Sequence, residues 1–467
     1  MVLPENVKYI IGKLTAAGFE AYSVGGCVRD SLIGRTPGDW DITTDALPAD
    51  IKRVFRHTVD TGIEHGTVTV LIYPDTLKKE GYAPACMDRE TSPTDVAADR
   101  ETSPLDGKPE TYEVTTYRID GIYKDGRHPE QVTFTSSLGE DLRRRDFTIN
   151  AMAYNDGSGL VDLFDGTGDL ERKRIRCVGD PDERFDEDAL RILRAVRFAA
   201  QLDFDIEPET AAAVTRHAAH LEAVSKERVF TELNKLLCSG HMERLEDIFR
   251  LGLAEHIAEG FSDVKCAASG TEAPAIPLEK KYLRYGLICR GWEENRVKEL
   301  LRALKSDLDT IRHASYMASR LLVPIPAERY TLKKKIAETD PGHFRELLLL
   351  KKSIAATAEY AAACGEEDIG RLIVLFDEIM AKGEPVYMKE LAVTGNDLKR
   401  AGVPAGPGMG ELLNRMLDDI RREPVHNSAL YLFNKYLGQH GGTYSGQEAA
   451  ETAGTAREED SPACGKR

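Results

Sequence analysis

Asp39 and Asp41 stand two residues apart at the end of SVGGCVRDSLIGRTPGDWDITT, which runs from Ser23 to Thr44. Carboxylates at i and i+2 of a strand share one face, and there they can hold hard divalent cations such as Mg²⁺ through oxygen. A pair of such ions about 4 Å apart activates an attacking hydroxyl and stabilises a departing pyrophosphate. Ahead of the aspartates lie Gly25, Gly26 and Arg29. Adjacent glycines let backbone N–H groups approach an anion closely, a helix start adds positive dipole, and the guanidinium adds a fixed cationic fork. A glycine pair alone is usually a turn, and paired aspartates are usually solvated. Within one short window, joined by Arg29, they point to phosphate chemistry.

Two later segments extend that chemistry. In LRRRDFTINAMAY, from Leu142 to Tyr154, Arg145 is placed to contact a triphosphate, while Asp146 and Asn150 offer hydrogen bonds to a sugar hydroxyl or a base edge. An ordinary basic helix start capped by Asp146 is the plainer alternative. In DERFDEDALRILRAVRFAAQL, Asp188, Arg191, Arg194 and Arg197 recur every three residues in a helix after Phe185, and Leu190, Leu193, Val196 and Ala200 make the apolar stripe. The plainer alternative here is a solvated amphipathic helix with an i,i+3 ion pair. Cytosine and adenine each present an amine donor beside a ring-nitrogen acceptor, whereas uracil and guanine present the reverse order. One carboxylate and one guanidinium, Asp188 and Arg191, therefore match the first two bases and oppose the others.

The surrounding elements must hold these groups in place. Residues 5 to 19 predict a helix, with Val7, Ile10, Ile11, Leu14 and Ala17 in one stripe. Strands are predicted at Ala21 to Val24, Thr67 to Tyr73, Tyr112 to Arg118 and Gln131 to Thr135. Between the second and third of these, DRETSP occurs twice in a stretch poor in large apolar residues, read as a mobile surface insertion at about 83–110. From about Asp180 helical periodicity takes over, in Asp188 to Leu202, Glu209 to Leu221, Lys226 to Leu237, Glu294 to Leu304, Ser306 to Leu322, His343 to Cys364, Ile369 to Ala381 and Met409 to Arg422. The Gly-, Ser-, Thr- and Glu-rich end, 439–467, is expected to be disordered.

With 62 basic against 78 acidic residues the net charge is −16, which excludes a uniformly cationic nucleic-acid binder. About −14 of it lies in the first 210 residues, and residues 211–440 are close to neutral. The eight cysteines form no CxxC pair, so thiols rather than a zinc or redox motif are expected. No apolar run reaches the ~20 residues of a membrane helix, and the start lacks the order of a signal peptide. A soluble, cytoplasmic protein with no membrane partner is expected.

The G-G-x-V-R-D and D-x-D combination resembles the head of the class II tRNA nucleotidyltransferase and bacterial poly(A) polymerase family, within the polymerase-β superfamily. EHGTVTV, EVTTYR, LRRRDFTINAMAY and the segment from Asp162 to Ala199 carry the resemblance onward. It is dense over about 20–205 and looser to about 437, and the DRETSP spacer departs from the family's shorter connection. The resemblance implies an α+β fold: a nucleotidyltransferase head with a small mixed sheet at 1–155, then a helical neck (156–225), body (226–340) and tRNA-binding tail (341–438). It implies Mg²⁺ on Asp39 and Asp41, triphosphate on Gly26, Arg29 and Arg145, selection of CTP and ATP by Asp188 and Arg191, and support from Arg194 and Arg197. The RRDFTINA segment would also help distinguish ribose from deoxyribose, and Glu113 is a candidate third carboxylate.

The partner implied is the 3′ end of tRNA, extended by CCA. Tyr123 to Pro129 resembles a flexible loop kept by CCA- and A-adding members and lost from CC-adding ones. A-only addition and poly(A) synthesis are the alternatives within the family. A catalytically silent RNA-binding protein is the alternative outside it, although Asp39, Asp41 and Arg145 are all present. None of the eleven histidines precedes an aspartate, so an appended His-Asp phosphohydrolase domain is not expected. Lys399, Arg400, Arg421 and Arg422 are candidate phosphate contacts in the tail, with solvated surface charge the commoner role for such residues. Oligomeric state is left open.

Overall fold

A seven-stranded mixed sheet forms the core of the N-terminal region in the computed structural model, which describes residues 1–79, 107–120, 132–266, 277, 279–365 and 367–438. In chain order its region contains β1 (Ala21–Val24), β2 (Ile42–Thr44), β3 (Thr58–Gly62), β4 (Thr67–Ile72), β5 (Glu110–Thr116), β6 (Arg118–Asp120), β7 (Val132–Phe134), β8 (Met152–Asn155) and β9 (Gly159–Asp162). The sheet order is β3-β4-β5-β2-β1-β8-β9, and β6 pairs separately with β7. Only β2 and β5 run parallel within the large sheet.

Side-chain alternation explains how the sheet is used. Along β5, Tyr112, Val114 and Thr116 are buried while Thr111 and Glu113 are exposed. Val114 and Ile42 face a core made with Val7, Ile10 and Leu14 of the helix Glu5–Ala16 and with Ile51, Val68 and Val70. Each fully buried side chain of this size contributes about 1.5–3 kcal/mol. On the other face Tyr22, Val24, Tyr117, Leu142 and Ala153 form a smaller cluster.

The predicted helix at 5–19 ends at Ala16, and three of the four predicted strands are present within a few residues. The fourth is shorter, Val132–Phe134. Strands β3, β8 and β9 carry no clean apolar alternation; β3 is TVDTG at the sheet edge, with three of its five residues exposed. Of the insertion expected at about 83–110, residues 83–106 lie outside the described residues and Glu110 already belongs to β5; the loop Tyr123 to Pro129 and the segment 439–467 also lie outside them.

The chain divides into two compact units, one formed by 1–267 with 299–307 and the other by 268–298 with 308–467. In the first unit, the helix expected over Asp188 to Leu202 begins two residues later, at Leu190, and a separate helix precedes it. A helix spans Pro181–Glu187, Asp188 is extended (φ −143°, ψ 103°), and a second helix spans Leu190–Leu202. The earlier helix has a legible start: Asp180 accepts the N–H of Asp182 and Pro181 occupies the first turn. Helix Leu190–Leu202 is buried nearly all round, including Arg191 and Arg197. It packs on helix Lys226–Leu237 and is therefore not the solvated amphipathic helix of the plainer sequence reading.

Within the second unit, helices Lys281–Ile288 and Leu308–Leu321 pack together, and a distal cluster joins Leu398, Met416, Ile420 and Leu432. The helix expected over His343 to Cys364 is two, Pro341–Ile354 and Ala358–Cys364. Thr357 is the reason: its hydroxyl accepts the Tyr360 N–H and caps a new helix start. Arg421 turns inward and donates twice to the Val386 carbonyl, Arg400 pairs with Asp397, and Arg422 lies 4.5 Å from the Tyr330 ring centroid.

Candidate active site

The extended segment before β2 brings the acidic residues together. Asp39 and Asp41 precede the strand rather than lying within it, but the backbone is already paired at this point, since Val24 N–H donates to the Asp41 carbonyl at 3.0 Å. The parallel register places Ile42 beside Val114 and Thr43 beside Thr115. One residue back on each strand, Asp41 therefore adjoins Glu113, both on the sheet face opposite the Ile42–Val114 core. Asp41 opens to solvent on one side and is walled by protein elsewhere. Its carboxyl is pushed up to about 6, first by desolvation, then by the charge of Asp39, with Arg145 pulling the other way and Glu113 adding a further upward push.

Arg145 is aimed by a residue that sequence reasoning missed. Asp141, fully buried, accepts from Thr43 at 3.1 Å, from Arg144 at 2.9 and 2.7 Å, and from Arg145 at 3.4 Å. Burial opposes its ionisation, but Arg145, Arg144 and the hydrogen bonds outweigh burial and hold the carboxyl below its usual range. The i,i+3 and i,i+4 spacing of Asp141 with Arg144 and Arg145 was the available signal. The Arg145 Nε is buried without a hydrogen-bond acceptor, so the guanidinium keeps an uncommitted donor at the site.

Gly25 has φ +81° and caps the helix Gly26–Leu32. A Cβ there would lie 3.0 Å from Arg145 Nη1, so glycine serves both the backbone conformation and the close approach of the arginine. Arg29 is buried and donates to Asn150 Oδ1 at 2.6 Å and to Asp30 at 2.9 Å. Asn150 donates in turn to Asp146 at 3.1 Å, and Arg194 donates to Asp146 at 2.7 Å. Burial opposes ionisation of Asp146, while Arg194, the Asn150 hydrogen bond and Arg191 hold it far below the usual carboxylate range. Both Asp146 oxygens are thus committed within the protein, as the joint between the glycine turn and helix Leu190–Leu202.

Asp188 and Arg191 are not paired with each other by their side chains. Asp188 accepts from Leu190 N–H at 3.0 Å and from Arg228 at 2.8 Å. Arg191 donates to Glu187 at 2.6 Å and to the carbonyls of Arg184 and Arg144 at 3.3 and 2.9 Å. A carboxylate offers about four acceptor sites and a guanidinium five donors, so each retains capacity for a ligand. Arg197 is placed differently: it forms a buried ion pair with Glu232 at 2.7 Å and lies 3.7 Å from the Phe198 ring centroid. Desolvation, opposed by Glu232, lowers it to about 10. In this position Arg197 braces the helix.

The Poly A polymerase head domain model matches residues 21–103 and 86–176, and a model described as a probable RNA and SrmB-binding site of polymerase A matches 203–264. The CCA-adding enzyme of Levilactobacillus brevis is 37% identical over 416 residues, covering 88% of this chain and 91% of that protein. The chain belongs to the CCA-adding enzyme family. A second family member, from Limosilactobacillus fermentum, is 35% identical over 434 residues, covering 89% and 92%. Among solved members, the Bacillus stearothermophilus CCA-adding enzyme in complex with CTP is 28% identical with a TM-score of 0.73, covering 98% of this chain and 100% of that one. Enzymes of this family are nucleotidyltransferases and use a divalent metal.

The donor set fits such a metal. Asp39, Asp41 and Glu113 offer only hard oxygen ligands, and the Asp41 carboxyl is raised first by desolvation and then by the charges of Asp39 and Glu113, both of which a bound divalent cation would offset. A pH dependence follows. Below about pH 6 a proton occupies Asp41 and competes with metal; above it the carboxylate is free. The metal concentration for half-maximal activity is expected to rise on going from pH 8 to pH 5.5, and an unchanged value would contradict the assignment.

Proposed function

We propose that this chain is a template-independent tRNA nucleotidyltransferase that adds C, C and A to the 3′ end of tRNA from CTP and ATP, releasing pyrophosphate in the cytoplasm. The observation that carries the proposal is the convergence of Asp39, Asp41 and Glu113 with Arg145 in a chain whose relatives carry that activity along most of their length. The head (1–155) supplies these groups, the neck (156–225) the base-reading segment, and the body (226–340) and tail (341–438) the tRNA contacts.

Asp39 and Asp41 hold Mg²⁺, with Glu113 as the further carboxylate. The bound metal lowers the pKa of the tRNA hydroxyl and neutralises charge on the phosphates. Gly26 and Arg145 bind the triphosphate, and Arg29 supports that wall through Asn150. The hydroxyl oxygen forms a bond to the α-phosphorus as the α–β bridging bond breaks. Asp188 accepts the exocyclic amine of cytosine or adenine, and Arg191 donates to the adjacent ring nitrogen. Arg194 orients the reading helix through Asp146, and Arg197 does so through Glu232.

Transcripts ending before CCA, CA or A should be extended only to CCA when CTP and ATP are both present, as read by sequencing the 3′ ends. Addition of A alone, or a long A tail, would reassign the activity within the family. Asp188→Ala removes one ligand hydrogen bond worth about 1–3 kcal/mol. It is therefore expected to reduce discrimination against UTP and GTP by about 10- to 100-fold, with unchanged discrimination refuting the base-reading role.

A further inference from the structure

Helix Pro181–Glu187 and the turn following helix Pro208–Arg216 bring together three side chains that the transfer reaction does not use: Asp186, His217 and His220. The two imidazole Nδ1 atoms are 3.4 Å apart. Asp186 Oδ1 lies 3.1 Å from the first and 3.5 Å from the second. A tetrahedral Zn²⁺ with ligand bonds of about 2.0–2.1 Å separates its ligand atoms by roughly 3.4 Å. The three protein atoms therefore already occupy one face of such a tetrahedron.

The outer shell has the corresponding order. His217 Nε2 contacts Asp182 Oδ1 at 2.8 Å, and Arg216 holds both Asp182 oxygens at 3.0 and 2.6 Å. A carboxylate at Nε2 favours the neutral tautomer with its proton there, in which Nδ1 is free to act as a ligand atom beside Asp186 and His220. This is the arrangement that orients metal-bound imidazoles. Two imidazole nitrogens and a carboxylate oxygen this close together repel unless a proton or a metal cation lies between them. Asp186 and His220 are each more than half exposed, which leaves room for water as a fourth ligand.

We propose that Asp186, His217 and His220 form a tetrahedral site for a Zn²⁺-like divalent cation, separate in composition from the all-carboxylate catalytic set. The ion ties the end of helix Pro181–Glu187, immediately before Asp188, to the 217–220 turn. Mixed nitrogen and oxygen ligation at tetrahedral spacing favours zinc over Mg²⁺, which demands octahedral oxygen.

The test is a Co²⁺ titration of the full-length chain after chelation, in buffer containing Mg²⁺, followed by displacement with Zn²⁺. The expected result is one equivalent with tetrahedral d–d bands that Zn²⁺ abolishes. His220→Ala and Asp186→Asn are expected to weaken Zn²⁺ binding by about 100-fold or more, and Asp182→Asn by about 10- to 100-fold. Asp39→Ala should bind as tightly as wild type. Absence of tetrahedral bands in the wild-type chain would overturn the site without recourse to any variant, as would unchanged binding in His220→Ala. A shared proton between the rings, with no metal affinity, is the outcome that defeats the proposal.

Discussion

Asp41→Asn should slow nucleotide addition by about 1,000-fold or more while tRNA affinity stays near that of wild type. Metal-assisted phosphoryl transfer draws several kcal/mol from charge stabilisation, and each 1.36 kcal/mol is a factor of ten in rate. Asparagine keeps the shape of the side chain and leaves the Asp41 carbonyl paired with Val24 N–H, so the loss falls on metal binding rather than on the sheet. It also removes the acceptor charge that Asp39, Glu113 and Arg145 surround. Asp39→Ala should behave alike. Single-turnover extension of a tRNA lacking its terminal A, alongside filter binding of the same tRNA, separates the two quantities. Wild-type turnover in either variant would overturn the metal assignment, and parallel loss of binding and turnover would indicate disruption of the fold.

Asp146→Ala is expected to destabilise the first unit by about 2–3 kcal/mol. Removing one member of a fully buried pair costs roughly 3–5 kcal/mol, but the Arg194 side chain is 34% exposed and can recover part of its solvation. The variant also loses the acceptor for Asn150 and for the Phe147 N–H. Urea unfolding measures the change, and the double variant with Arg194→Met tests its origin: most of the loss should be recovered once the unpaired cation is gone. A single variant as stable as wild type would show that the Asp146 joint contributes nothing net. Because its carboxyl lies far below the usual range, this contribution is present above the ordinary carboxylate pKa and is lost only as the pH falls into strong acid.

The local patterns were readable wherever one segment carries the whole signal. Gly25-Gly26 before Arg29, the aspartates at 39 and 41, and the apolar stripe of the first helix need only neighbours in sequence. Strands β3, β8 and β9 were missed because they are short and lack clean apolar alternation. The spacing of Asp188, Arg191, Arg194 and Arg197 suggested one stripe, with the last two supporting the first two. The structure places Asp188 before the helix and gives Arg194 and Arg197 separate protein partners, Asp146 and Glu232.

By itself the sequence determined the family and placed the carboxylate pair, because residue type and close spacing carry them; the proposed base choice by Asp188 and Arg191 rests on the same local spacing. The tertiary structure alone decided that Glu113 adjoins Asp41, that Thr43 donates to Asp141 and that Arg29 reaches Asn150. Those contacts join residues 72, 98 and 121 positions apart; strand register and burial, which no local pattern encodes, bring them together.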